Sequence, residues 1–290
     1  MTVTLGTYGI WRRLSGLTPQ LARDIEALGY GAIWVGGSPP GDLRRVEELL
    51  AATDRIAVAT GIVNMWTSPA DEVAAAYHRV TRAFPGRFLL GVGIGHPEAV
   101  REYRSPYATI LAYLDVLDAA GVPVDGRVLA ALGPKVLAVA AERTAGAHPY
   151  LTPPEHTRRA RDLMGPAAML APEHKVVVEA DPQQARAIGR PPVERPYLQL
   201  RNYTNNLRTL GYTDADLADG GSDRLIDALV AHGDAATVAA RLTEHIGAGA
   251  NHVCAQVLTP AGTDPLPAMS ALAEALHLPV SAPGEAPAAP

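Results

Sequence analysis

The sequence predicts a single α/β domain, a (β/α)8 TIM barrel with an insertion between strands 7 and 8. Three observations predict it. Eight short apolar runs alternate with helical patterns, glycines and other turn residues punctuate the run ends, and the alternation breaks between Pro191 and His232. A doubly wound sheet is the other arrangement of such units. The barrel is read over residues 1–278, the insertion over about 191–232, and residues 279–290, rich in Pro and Ala, as a disordered tail.

The elements follow in order. Val3 to Gly6 reads as a first strand, and Leu17 to Leu28 as a helix with Thr18 as cap and Pro19 in its first turn. Ala32 to Val35 is strand 2, Asp42 to Ala52 a helix, and Ile56 to Val63 strand 3. Val73, Ala76, Tyr77, Val80 and Phe84 recur at helical spacing. Phe88 to Val92 is strand 4, and Tyr107 to Ala119 a helix closed by Gly121. Lys135 to Ala140 reads as strand 5 and Ala147 to Leu151 as strand 6. Thr152-Pro153-Pro154-Glu155 reads as a capping box that opens a helix to Met164. Lys175 to Glu179 is strand 7, and Asp181-Pro182 starts another helix. After the insertion come a helix from Asp234 to Ile246, strand 8 from Asn251 to Leu258, and a last helix from Pro265 to Leu276.

The most unusual stretch is Phe84 to Pro97, FPGRFLLGVGIGHP. Gly91, Gly93 and Gly95 leave one strand face bare, so a flat ligand or another backbone must approach closely there. Relief of crowding inside the barrel is the other reading. A dinucleotide fingerprint is excluded, because Gly93-Ile94-Gly95-His96-Pro97-Glu98 lacks the third glycine.

A net charge of -5 without a basic stripe argues against a nucleic-acid partner. The single cysteine, Cys254 in an apolar run, excludes an intrachain disulfide framework and is expected in the core. No apolar run approaches 18 residues, so no membrane span and a cytoplasmic location are expected.

In a barrel, chemistry sits at the C-terminal strand ends. There the sequence places Tyr8 and Trp11, Gly36 and Gly37, Asn64, Met65 and Trp66, Gly95 and His96, Ala140 and Ala141, and His148-Pro149-Tyr150. Only His96 and His148 among them ligate metals, and no carboxylate ends a strand, so no metal site is expected. Schiff-base chemistry needs a lysine at a strand end, whereas Lys135 and Lys175 begin their strands. What remains suits a flat, largely apolar cofactor that carries the chemistry itself. Its phosphate could rest on the helix opening at Thr152, near Arg158 and Arg159.

LGVGIGHPEA after PGRF resembles the luciferase-like monooxygenase superfamily. TGIVNMWTSPADEVAAAYHRV, GPKVLAVAAERTAGAHPYLTPPEHT and GAGANHVCAQVL extend the resemblance over nearly the whole chain, toward the branch that uses coenzyme F420. The resemblance implies a homodimeric, F420-dependent oxidoreductase of a small-molecule substrate. FMN-dependent monooxygenation and non-catalytic flavin or deazaflavin binding stay open. It further implies a non-prolyl cis peptide at or beside Asn64-Met65, and a coenzyme tail passing Gly95-His96 and Tyr150 to Thr152. His96 stands where the sugar-phosphate dehydrogenase of this superfamily has a glutamate proton donor, so His96, or else His148, would exchange the proton. Gly36, Gly37, Ala140 and Ala141 would also face the coenzyme, with Tyr8, Trp11 and Trp66 around the substrate.

Overall fold

In the computed structural model, which describes residues 2–95 and 105–279, parallel strands close into a ring with helices outside. The first half comprises β1 (Tyr8–Arg13), α1 (Pro19–Ala27), β2 (Ala32–Gly36), α2 (Arg44–Ala51), β3 (Ala57–Gly61), β4 (Val63–Asn64), α3 (Ala70–Ala83), β5 (Phe88–Gly93) and α4 (Pro106–Ala119). The second half runs β6 (Arg127–Leu129), α5 (Pro134–Arg143), β7 (Gly146–Ala147), α6 (Pro154–Met164), β8 (Met169–Leu170), β9 (Glu173–Val178) and α7 (Pro182–Gly189). The insertion then carries α8 (Pro191–Glu194), α9 (Arg201–Thr209), α10 (Asp214–Leu217), α11 (Asp223–Leu229) and β10 (Val230–Gly233). The chain returns through α12 (Ala235–Gly247), β11 (Val253–Val257) and α13 (Leu266–Ala275).

The ring has eight staves. β3 and β4 form the third, and β8 and β9 the seventh, interrupted at Ala171-Pro172 where proline has no N–H to give. Closure comes from that seventh stave. Met169 and Leu170 pair with β7, while Glu173 to Val176 pair with β11, which in turn pairs with β1. β10 adds a short strand beside the upper half of β9.

Alternation sets the two cores. Ile33 and Val35, Val58, Leu90 and Val92 face the helices and join the large outer core. Ala32 and Trp34, Ala57 and Ala59, Leu89, Val128 and Cys254 face inward. The small residues around Trp34 are what let its indole fill the barrel. It donates through Nε1 to His252 Nε2 (3.0 Å), and His252 Nδ1 is bonded to the Gly6 carbonyl (2.8 Å).

Two strands lie elsewhere than the sequence pattern predicts. The first strand is β1, not Val3 to Gly6; Val3 and Leu5 plug the bottom of the barrel instead. The fifth is β6, because residues 135–140 lie in α5. Gly133-Pro134 is a helix start, and the apolar residues after it pack on a helix face (Leu137, Val139, Ala140). The capping box at Thr152 is also absent: Pro153 is the N-cap, and the buried Thr152 hydroxyl makes no such bond.

Gly91 and Gly93 answer to crowding. A Cβ on Gly91 would lie 1.8 Å from the Thr60 carbonyl oxygen, and one on Gly93 would meet Ala130 and Ile62. The ladder between β3 and β5 stops after Ala59, and the Thr60 hydroxyl replaces it, donating to Gly91 O and accepting from Gly91 N, both at 2.8 Å. The non-prolyl cis peptide follows at Gly61–Ile62, earlier than the Asn64-Met65 position expected.

Glu26 at the end of α1 accepts from the backbone N–H groups of Asp54, Arg55 and Ile56, fixing the approach to β3. Glu26→Ala would leave three donors to water, and a loss on the order of 1–2 kcal/mol is expected, read as a lowered denaturant midpoint at unchanged m. Among the described residues, no helix is long and apolar enough to cross a membrane.

Candidate active site

A cavity of about 780 Å³ opens at the C-terminal ends of the strands. Its size is that of a cofactor or small-ligand site. β1 supplies Trp11 and Arg13, the turn after β2 supplies Gly37 and Ser38, and the third stave supplies Gly61, Ile62 and Asn64. Ile94 and Gly95 follow β5, residues 130–133 and Lys135 follow β6, and His148 and Tyr150 follow β7. The insertion closes one side with Pro196, Tyr197, Asn202 and Tyr203.

His148 is the buried imidazole of this cavity. Its ring stacks on Trp34 (4.1 Å, 15°) and its Nδ1 lies 2.7 Å from the Ala171 carbonyl. That oxygen can only accept, so Nδ1 carries the hydrogen and Nε2 is left as an acceptor. Nε2 is buried and has no hydrogen-bond partner. Burial holds the imidazole down to about 4, against the Ala171 bond, so it is neutral at physiological pH. Such an orphaned acceptor facing a ligand-sized cavity asks for a donor on the ligand.

Glycines shape the wall. A Cβ on Gly61 would lie 2.8 Å from Trp11 Nε1 and 3.0 Å from His148 Nε2. Trp11 Nε1 donates to the Gly61 carbonyl (3.2 Å), which holds the indole against the third stave. Gly95 takes a left-handed conformation (φ +61°) over the Asn64 side chain. Asn64 Oδ1 in turn accepts from the Trp66 N–H (2.9 Å). Among the described residues, no group of metal-ligating side chains gathers that could hold an ion.

Of the residues singled out in the sequence, Trp11, Gly37, Asn64, Gly95, His148 and Tyr150 line this cavity. His96 lies outside the described residues. Tyr8 stands at the start of β1 and bonds Thr243 (2.8 Å), because the first strand begins later than the sequence suggested. Gly36 backs the site rather than facing it, since its missing Cβ makes room for the Trp11 indole. Met65 packs into the outer core, and Trp66 and Thr152 are not in the wall. Ala140 and Ala141 lie late in α5, away from any strand end.

The same displacement brings Lys135 to the cavity, at the N-terminal end of α5 and not at the bottom of a strand. Arg13, Ile62, Tyr197 and Tyr203 were also missed. Gly133-Pro134 was the legible signal for Lys135; nothing local announced the others.

Residues 16–121 match the luciferase-like monooxygenase family. Over the whole chain the fold is similar to an F420-dependent secondary alcohol dehydrogenase solved with an F420-acetone adduct, at a TM-score of 0.72 and 14% identity, covering 94% of this chain and 99% of that one. Over residues 16–121 the chain is similar to luciferase-like monooxygenases, and over its whole length it shares their barrel fold. Its fold is also similar to the F420-dependent tetrahydromethanopterin reductase of Methanopyrus kandleri (TM-score 0.68, 16% identity, covering 95% and 100%). The FMN-bound oxygenating constituent of 3,6-diketocamphane monooxygenase from Pseudomonas putida is similar too (TM-score 0.67, 12% identity, covering 97% and 99%). No curated protein sequence matches the chain. At these identities the solved structures show the fold alone.

Proposed function

We propose that this luciferase-like barrel is a coenzyme F420-dependent oxidoreductase, moving a hydride between deazaflavin C5 and a small, mostly apolar organic substrate such as an alcohol, ketone or enone. The observation that carries the reading is the cavity itself, aromatic and glycine-walled, with a buried neutral imidazole whose Nε2 lacks a partner. The bound coenzyme would supply the two-electron chemistry. Gly37, Asn64 and Gly95 would hold it, and His148 Nε2 would accept a hydrogen bond from the bound molecules. Trp11, with Tyr197 and Tyr203 of the insertion, would cover the substrate and exclude water. The protein would act in the cytoplasm, as a homodimer.

FMN-dependent monooxygenation is the second reading, favoured by the fold similarity to the FMN-bound diketocamphane enzyme. Titration of the purified protein with F420 and with FMN, followed by coenzyme fluorescence, decides between them. Micromolar F420 binding with FMN much weaker is expected; the reverse order moves the protein to the monooxygenases, and binding of neither removes the cofactor assignment. His148→Phe keeps the stacked ring but deletes the acceptor. It should weaken coenzyme or substrate binding roughly tenfold, the scale of one hydrogen bond to a buried group. Unchanged binding of both would remove His148 Nε2 from the site.

A further inference from the structure

The seventh stave carries two opposite charges into the barrel. Glu173 and Lys175 are both fully buried, on the inward face of β9. Lys175 Nζ donates to Glu173 Oε1 (3.1 Å) and to the Tyr150 hydroxyl (2.9 Å). Glu173 Oε2 accepts from the Leu151 N–H (2.9 Å), and the Tyr150 hydroxyl donates to Gln256 Oε1 (2.9 Å). Tyr150 lines the cavity, its ring 5.2 Å from that of Trp11. A buried ion pair adds little stability over apolar residues of the same volume, so its placement against a cavity-lining phenol calls for another role.

We propose that Tyr150 is a general acid and base of the reaction, with Lys175 and Glu173 as the positioning residues that hold and reprotonate it. The proposal rests on the oxidoreductase reading above. In the reducing direction the bound coenzyme would supply a hydride to the substrate carbonyl carbon, and the carbonyl π pair would move to oxygen. Once the phenol O–H turns to it from Gln256 Oε1, that oxygen would take the Tyr150 proton, giving the alcohol. The phenolate then recovers a proton from the Lys175 ammonium, and solvent restores Lys175 once product leaves. Burial pushes the Tyr150 phenol well up, which keeps it protonated at neutral pH. Burial also pushes Lys175 down and Glu173 up, bringing acid and base of the pair closer together. Arg13, Cys254, Tyr203 and Tyr197, the last hydrogen-bonded to Tyr150, are the other titratable groups acting on this cluster.

Tyr150→Phe removes one oxygen. Its F420 affinity is expected within about threefold of wild type, while the single-turnover rate of ketone reduction falls about 100-fold or more, the usual share of general acid catalysis. Normal F420 binding with a wild-type rate would overturn the role of Tyr150 and leave the coenzyme reading standing. Wild-type protein that binds neither F420 nor FMN would overturn both. The double variant Glu173→Gln/Lys175→Met avoids stranding a buried charge; it should slow single turnover and change its pH profile. An unchanged profile would overturn the part given to the pair. In coenzyme-free protein with ¹³Cζ-labelled tyrosine, the resonance missing from Tyr150→Phe should shift in the double variant. An unshifted resonance would overturn the contact on which the proposal stands.

Discussion

At pH 5 the protein is expected to melt more than 10 °C below its midpoint at pH 7. His148, His174 and His252 are buried and each held down to about 4 by burial, and His245 is held well below its ordinary value, by burial and by His174. The folded state therefore prefers them neutral, while the unfolded chain takes up protons below an ordinary imidazole value of about 6.5. Stability from these groups is complete above that value and is lost as pH falls from 6.5 toward 4. The loss at pH 5 is about 2 kcal/mol for each of the three, or about 6 kcal/mol together. That is a large part of an ordinary domain's stability. Thermal melts from pH 7.5 to 4.5 check it. A midpoint constant between pH 7 and 5 would mean that these imidazoles reach solvent or partners before the barrel opens.

Gly91→Ala should leave little folded protein. The new Cβ would lie 1.8 Å from a backbone oxygen, and the Thr60 hydroxyl that bridges the broken ladder would lose its geometry. No side chain can swing away to relieve the contact, so the third or fourth stave must shift. A cost of about 4 kcal/mol or more is expected, at the upper end for single substitutions. Gly133→Ala is the matched control, because nothing lies within 4 Å of a Cβ there. Soluble yield and melting temperature of the two variants check the account. A Gly91→Ala midpoint within a few degrees of wild type would show that the backbone yields more easily than this packing implies.

The long periodic helices and the long buried strands were legible because period and turn residues agreed there. The errors arose where a barrel departs from that grammar. β1 ends in Arg12-Arg13, which reads as polar surface, and β6 and β7 are only three and two residues long. Taking 135–140 as a strand sent Ala140 and Ala141 to the cavity and Lys135 away from it, the reverse of the structure. The glycine ladder reads as a place of close approach, and it is one: Gly91 meets the Thr60 backbone and Gly93 the side chains of Ala130 and Ile62, while of the three Gly95 lines the cavity. Tyr197 and Tyr203 reach the site from an irregular insertion, and Glu173 and Lys175 meet Tyr150 across the barrel. Neither contact leaves a local pattern in the chain.

The insertion has a hydrophobic core of its own, built from Val193, Leu200, Leu207, Leu225, Ile226 and Leu229 with Leu151 and Val177 beneath, apart from the core between strands and helices. Yet it contributes Tyr197, Asn202 and Tyr203 to the cavity wall. The molecule is thereby divided into a conservative part and an adaptable one. Substitutions that repack the insertion can reshape one wall while the strand ends bearing Trp11, Gly61 and His148 keep their geometry. Over generations such a lineage can acquire new preferences without rebuilding the barrel.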